Sequence, residues 1–168
     1  MRAGIALGSN VGDRLSQLRR ACTEIQALPS VTPPFCYSSL YETEPIDAAP
    51  DAGAFLNAVI EVEFAGQAVT LLEDLQAIEA RMGRPSKRPR NASRVIDLDI
   101  LYVGNLALTN SEIVIPHPRL PMRRFVLQPL HDLRPDLILP GQHRTVAELL
   151  AALPPGQRVE RLTEVLQE

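Results

Sequence analysis

Apolar and polar positions alternate most cleanly along Phe55-Leu56-Asn57-Ala58-Val59-Ile60-Glu61-Val62-Glu63-Phe64. A period of two is the signature of a strand, with Leu56, Ala58, Ile60, Val62 and Phe64 on its core face. Phe55 and Asn57 then share the outward face with Glu61 and Glu63. A second strand is expected over Arg94 to Tyr102, where Ile96, Leu98, Ile100 and Tyr102 take the core side and Asp97 and Asp99 point the other way. Shorter apolar runs predict strands at Ala3 to Leu7, at Phe35 to Thr43 and around Ile113 to Ile115. The period changes to that of a helix at Leu15, Leu18, Cys22 and Ile25, and again at Val69, Leu72, Leu75, Ile78 and Met82, with Gly83 as the stop. A short helix is expected around Val146 to Leu153. The rest of the C-terminal part reads as a structural extension with a polar tail.

Strand, helix, strand, strand, helix, strand is the order of a ferredoxin-like α+β sandwich: an antiparallel-rich sheet with helices on one face, followed here by a C-terminal extension. The 168 residues form one domain, 1–168, by size. In that fold the free face of the sheet carries Phe55, Asn57, Asp97 and Asp99 from two strands, which can meet in one cleft.

Composition narrows the field only slightly. Apolar content of 45% and charged content of 22% are those of an ordinary globular protein. A net charge of −3 argues against a general nucleic-acid surface. No apolar run approaches the length of a membrane span, and the N-terminus has no signal-peptide core. Cys22 and Cys36 are too few for a disulfide framework and are expected as small core residues in a reducing cytoplasm.

Chemistry enters with the paired aspartates. Asp97 and Asp99 stand roughly 6–7 Å apart on one strand face, in a residue type that strands disfavour. Either they are a solvated sheet face, or a divalent cation relieves their repulsion. Magnesium suits the second reading, because it takes one or two carboxylates and completes its shell with water and phosphate oxygens. The loop Arg84 to Arg94, with five cations and two prolines, leads straight into them. Such a loop is either solvated, with RNA as a potential contact, or shares a polyphosphate with the metal. His117, held between Pro116 and Pro118, is positioned to donate to phosphate. Gly8 to Gly12 lacks the lysine and hydroxyl ending of a Walker loop and reads as a tight strand-to-helix turn.

Together these residues resemble the hydroxymethyl-dihydropterin pyrophosphokinases of folate biosynthesis. The resemblance rests on Gly8-Ser9-Asn10 with Gly12-Asp13, Tyr41 with Thr43 and Pro45, and Phe55-Leu56-Asn57. It continues through Gly83-Arg84, Arg90 to Leu101, Pro116-His117-Pro118-Arg119, and Arg123 with Phe125-Val126-Leu127. It implies transfer of pyrophosphate from ATP to the hydroxymethyl group of the dihydropterin, with AMP released, and two magnesium ions on Asp97 and Asp99. By the same resemblance Glu79, Arg84, Lys87, Arg94, Ile100, His117 and Arg123 bind ATP, and Arg84 and Arg94 join the two aspartates as the catalytic set. Phe55 and Phe125 sandwich the pterin, Asn57 reads its amide-like edge, Asp97 faces it, and Thr43, Pro45 and Ile46 line its ring. The loop 84–94 is then expected to be a lid that closes over ATP. Asn91 stands where many members carry tryptophan, Ala92-Ser93 replaces a commoner Gly-Pro, and Asp47 replaces a frequent glycine.

Two other classes fit parts of the pattern. An RNA-binding ferredoxin-like module would use the basic loop but wants several aromatics on its sheet, and aromatic content here is 4%. Another two-metal nucleotidyl or phosphoryl transferase would explain the aspartates but not Phe55-Leu56-Asn57. The partners expected are therefore small molecules, ATP and a pterin, without nucleic acid or membrane, and a monomer suffices.

Overall fold

The alternation that marks the longest strand is realised as β4 (Phe55–Phe64), around which the sheet is assembled. The computed structural model describes residues 1–45, 52–83 and 94–167. In chain order β4 is preceded by β1 (Arg2–Ser9), α1 (Arg14–Gln26), β2 (Val31–Tyr37) and β3 (Tyr41–Thr43). After it come α2 (Ala68–Arg81), β5 (Asp97–Val103), β6 (Leu108–Thr109), β7 (Val114–Ile115), a 3-10 turn (Leu120–Met122), α3 (Arg124–Leu133), α4 (Val146–Ala152) and β8 (Val159–Arg161). The main sheet runs β5-β1-β4-β3-β8, with β2 on β4 as well, and its pairings are antiparallel. This is the ferredoxin-like α+β sandwich, with the C-terminal extension adding its own strand.

One face of the sheet packs under α1 and α2. Leu56, Ala58, Ile60, Val62 and Phe64 of β4 meet Leu18, Cys22 and Ile25 of α1 and Leu71, Leu75 and Ile78 of α2 there. The phase of α2 is turned slightly from the expected stripe: Leu71 is buried and Leu72 only partly so. Asp13 caps α1 by accepting from the Ser16 amide at 3.1 Å, and this hydrogen bond holds its carboxyl below the usual range.

The other face is only half free. Val59, Leu101 and Tyr102 form a second core with Val126, Leu127 and Leu130 of α3 and Val146 and Leu149 of α4. The extension thus covers the far half of that face, and the uncovered half becomes a cleft. Helix α3 is absent from the expected elements because Pro129 sits inside it, removing one backbone donor. Strand β8 is concealed in the polar tail, since two of its three residues are charged and exposed.

Three further expectations are corrected. The single strand over Phe35 to Thr43 is two, β2 and β3, because Ser38 leaves the ladder. Its amide donates to the Val59 carbonyl and its hydroxyl accepts from the Val59 amide, each at 2.9 Å. Tyr102 lies on the aspartate side of β5, opposite to the simple alternation. Gly4 pairs with Tyr102 but Ile5 pairs with Ile100, so Leu101 is an extra residue in a β-bulge, and the strand changes faces beyond it. A Cβ on Gly4 would run into the Tyr102 ring. Cys36 is half-buried at the sheet edge and outside the core, whereas Cys22 is a core residue whose thiol burial pushes up to about 12. Among the described residues no helix is long and apolar enough to cross a membrane.

Candidate active site

The register across the sheet builds the cleft floor. Gly8 of β1 is paired with Asp97 on one side and with Asn57 on the other, and Asn57 is paired with Tyr41. One row along, Ala6 stands between Asp99 and Val59. Paired residues share a face, so the carboxylates and the Asn57 amide point the same way, on strands about 10 Å apart. Between them stand only glycine and alanine, and a Cβ on Gly8 would come within 3.0 Å of Asn57 Oδ1. The space so left belongs to an open cleft of about 1220 Å³.

One end of the cleft is charged. Arg94 Nη1 donates to Asp97 Oδ2 at 2.8 Å. The backbone of Arg94 is itself held twice by Asn10: its amide donates to Asn10 Oδ1 at 2.6 Å, and its carbonyl accepts from the Asn10 amide at 3.1 Å. The Asn10 side chain also donates to the Gly53 carbonyl at 3.5 Å, so one buried residue pins two loop ends. Across the cleft, the His117 amide is fixed on the Leu101 carbonyl at 2.9 Å. Its ring Nδ1 accepts from the Arg119 amide at 3.2 Å, which leaves the neutral ring with its proton on Nε2. Burial first, then Arg123 and Arg119, lower the imidazole from 6.5 to about 4, so that it is a neutral donor at neutral pH. Burial also lowers Arg123, partly offset by Asp99 and Asp97.

The other end is aromatic and amide-lined. The Arg123 guanidinium sits 5.4 Å from the centre of the Phe125 ring at the start of α3. Phe55 and Asn57 form the floor opposite, and Asn57 Nδ2 donates to Thr43 Oγ1 at 2.7 Å. That bond orients the amide, turning Oδ1 toward the space above Gly8. Below it Tyr41 donates to both carboxylate oxygens of Asp132 at 3.0 Å, and burial together with Asp132 pushes the phenol up to about 12.

The cleft therefore gathers Thr43, Phe55, Asn57, Glu79, Arg94, Asp97, Asp99, His117, Arg123 and Phe125 of the residues expected from sequence. Glu79 has a structural task as well: its carboxylate accepts from the Leu98 amide on the open edge of β5 at 2.8 Å. Ile100 is not brought in, because its side chain is on the helix side, in the first core. Pro45 lies beyond the cleft wall, which ends at Glu44. Ile46, Arg84 and Lys87, and with them the expected lid, lie outside the described residues. Sequence reasoning uses Asn10 and Arg119 only as motif anchors, and it misses Leu153 to Gln157, which wall the cleft.

A model of the 7,8-dihydro-6-hydroxymethylpterin-pyrophosphokinase family matches residues 4–135. Over 162 residues the chain is 40% identical to the 2-amino-4-hydroxy-6-hydroxymethyldihydropteridine pyrophosphokinase of Pseudomonas aeruginosa, covering 96% of each. It is 37% identical over 152 residues to a folic acid synthesis protein of Schizosaccharomyces pombe, spanning 90% of this chain but 20% of that one. The backbone is similar to that of the Plasmodium falciparum HPPK-DHPS wild type, with a TM-score of 0.66 at 17% identity over 89% of this chain and 43% of that chain. That likeness is one of fold.

Proposed function

The chain belongs to the 7,8-dihydro-6-hydroxymethylpterin-pyrophosphokinase family, and we propose that its cleft carries out that family's reaction with phosphates over Asp97 and Asp99 and the pterin over Asn57. The reaction moves pyrophosphate from ATP to the hydroxymethyl group of the dihydropterin, in folate biosynthesis. The observation that carries the assignment of ends is the row Asp97, Gly8, Asn57, which sets acid and amide side by side with no side chain between them.

The donor set suits magnesium. Two neighbouring rows offer one carboxylate each, and among the described residues no group of three or more His, Cys, Asp or Glu forms a closed metal cage. That is the requirement of a cation that draws its other ligands from water and phosphate. Two magnesium ions held by Asp97 and Asp99 would supply neutralisation of the charge that builds on the phosphate oxygens.

This chain's own residues then do the positioning. Arg94, already fixed through Asn10 and Asp97, holds the phosphates at the strand side. His117 donates from Nε2 without adding a charge, and Arg123 supplies the cation opposite. Phe125 and Phe55 clasp the pterin ring between them. Asn57 Oδ1 accepts from its amide-like edge, while Thr43 prevents the amide from turning over. The ring so placed brings its hydroxymethyl group over Gly8, toward Asp97. Arg84 and Lys87 are proposed as further phosphate cations, and Pro45 and Ile46, with the backbone of Ile100, as further contacts to the ligands. We also propose that residues 1–168 act as one domain, and the free thiols Cys22 and Cys36 suit a reducing cytoplasm.

Release of AMP from ATP, followed with and without the hydroxymethyl dihydropterin and with and without magnesium, tests the proposal. Release that is dependent on both supports it. Release indifferent to the pterin would sink the assignment.

A further inference from the structure

We infer that Gln157 is a positioning residue for the pterin end of the cleft, and that Leu153 to Gln157 form the outer wall of that end. The inference rests on the proposed placement of the pterin at this end. The family match stops at residue 135, yet Leu153, Pro154, Pro155, Gly156 and Gln157 line the same cleft as Thr43, Glu44 and Phe125.

Three ties hold this segment in place. Arg124, in the first turn of α3, donates from Nη2 to the carbonyls of Leu153 at 3.4 Å and Pro154 at 3.3 Å. Strand β8 pairs with β3, Arg161 on Tyr41 and Val159 on Thr43, and there the strand pairing ends. One step further on, Gln157 Nε2 donates to the carbonyl of Glu44 at 2.6 Å. A side chain thereby continues the ladder for one more rung, beyond the last residue of β3. Pro154 and Pro155 restrict the backbone of the wall up to Gly156.

The position of that rung gives it a role. Thr43 holds the Asn57 amide, and Glu44 is the next residue in the chain. The Glu44 carbonyl belongs to the Glu44–Pro45 peptide, so fixing it anchors the chain one residue beyond Thr43 and limits how far the Thr43 hydroxyl can shift against Asn57. Loosening it would blur the pterin end and leave the phosphate end, built on β5, the 117–123 segment and Asn10, as it is.

Four variants test this by calorimetric titration of the dihydropterin, with a non-hydrolysable ATP analogue and magnesium present, alongside titration of the analogue alone. Gln157→Glu keeps the shape but removes both N–H groups, Gln157→Ala removes the side chain, Gln157→Lys retains a donor, and Asn57→Ala removes the ring contact itself. We expect Gln157→Glu and Gln157→Ala to weaken the pterin about 3- to 10-fold, the range of one net hydrogen bond. Gln157→Lys should stay near wild type, and analogue affinity should not change. Wild-type pterin affinity in Gln157→Glu, with a clear loss in Asn57→Ala, overturns this inference alone. Wild-type affinity in both variants overturns the reading of the cleft and this inference with it. Parallel weakening of pterin and analogue, with a lowered melting temperature in every Gln157 variant, would make Gln157 a merely structural residue and also overturns it.

Discussion

Thr43→Val is the sharpest probe of how the pterin end is built. Valine suits the strand as well as threonine does, and the backbone pairing of residue 43 with Phe55 is untouched. What disappears is the Oγ1 that accepts from Asn57 Nδ2 at 2.7 Å, in a pair where Thr43 is 2% and Asn57 7% exposed. Water cannot readily replace the lost acceptor, so the stranded N–H costs about 1–3 kcal/mol. The added methyl returns about 0.8 kcal/mol. The net loss of folding stability is then about 0.2–2.2 kcal/mol, read as a lower urea midpoint at unchanged slope. Binding should suffer separately. An Asn57 free to turn must be re-immobilised by the ligand at about 0.5–1.5 kcal/mol, which raises the pterin Kd about 2- to 12-fold. Affinity for an ATP analogue should stay the same, and Thr43→Ser should restore the pterin. A fall in stability with unchanged pterin affinity would refute the argument, because the bond would then hold the sheet together without orienting the amide.

Asp99→Ala should lower turnover at least about 100-fold. Magnesium with ATP analogue should raise the melting temperature of the wild type but barely that of the variant, as scanning calorimetry will show. His117 is held at about 4 in the folded chain against 6.5 when free, so the unfolded chain takes up its proton first as pH falls. Urea midpoints at pH 7, 5 and 4 should show the wild type losing about 1–2 kcal/mol more than His117→Gln across that window, a figure discounted for the ring's partial exposure. Glu61 accepts from Arg2 at 2.7 Å, from Arg134 at 2.9 Å and from the Tyr102 hydroxyl, in a site where the carboxylate is nearly fully buried. Glu61→Leu should cost about 2–4 kcal/mol, chiefly through the stranded hydroxyl, since both arginines keep access to water. Adding Tyr102→Phe should recover about 1–2 kcal/mol of it, and simple additivity in the double-mutant cycle would contradict that account.

Much of this is legible in the residues. The β4 alternation determines which of its side chains face the helices, and Asp97 and Asp99 announce their shared face by period alone. The features that escape share a physical cause: they depend on pairing, which a single segment does not encode. Tyr102 reads as a core-side residue until the partner strand reveals the bulge. Helix α3 carries a proline within it, and β8 becomes a strand only because β3 offers an edge. Asn10 and Gln157 act through backbone carbonyls and amides forty or more residues away, and nothing in their neighbours' side chains points to that. Glu61 reads as a solvated strand residue, and only α3, delivering Arg134, encloses it.

The bulge in β5 bears on how the chain tolerates changes of length. Leu101 is the residue by which β5 outnumbers β1, and it separates the stretch that aims Asp97 and Asp99 at the cleft from the stretch that seats Tyr102 on Glu61. Substitution of Leu101 by another large aliphatic alters a packing contact and no more. Its deletion restores plain one-to-one pairing with β1 and leaves both stretches on their own faces, because Tyr102 then follows Ile100 directly and still opposes Gly4. A residue gained or lost elsewhere in β5, with the bulge kept, slips one stretch by one position against β1 and turns its side chains to the other face. At the bulge, then, β5 can lose a residue without exchanging its cleft face for its core face, whereas within either stretch the number of residues is under tighter constraint than their identity.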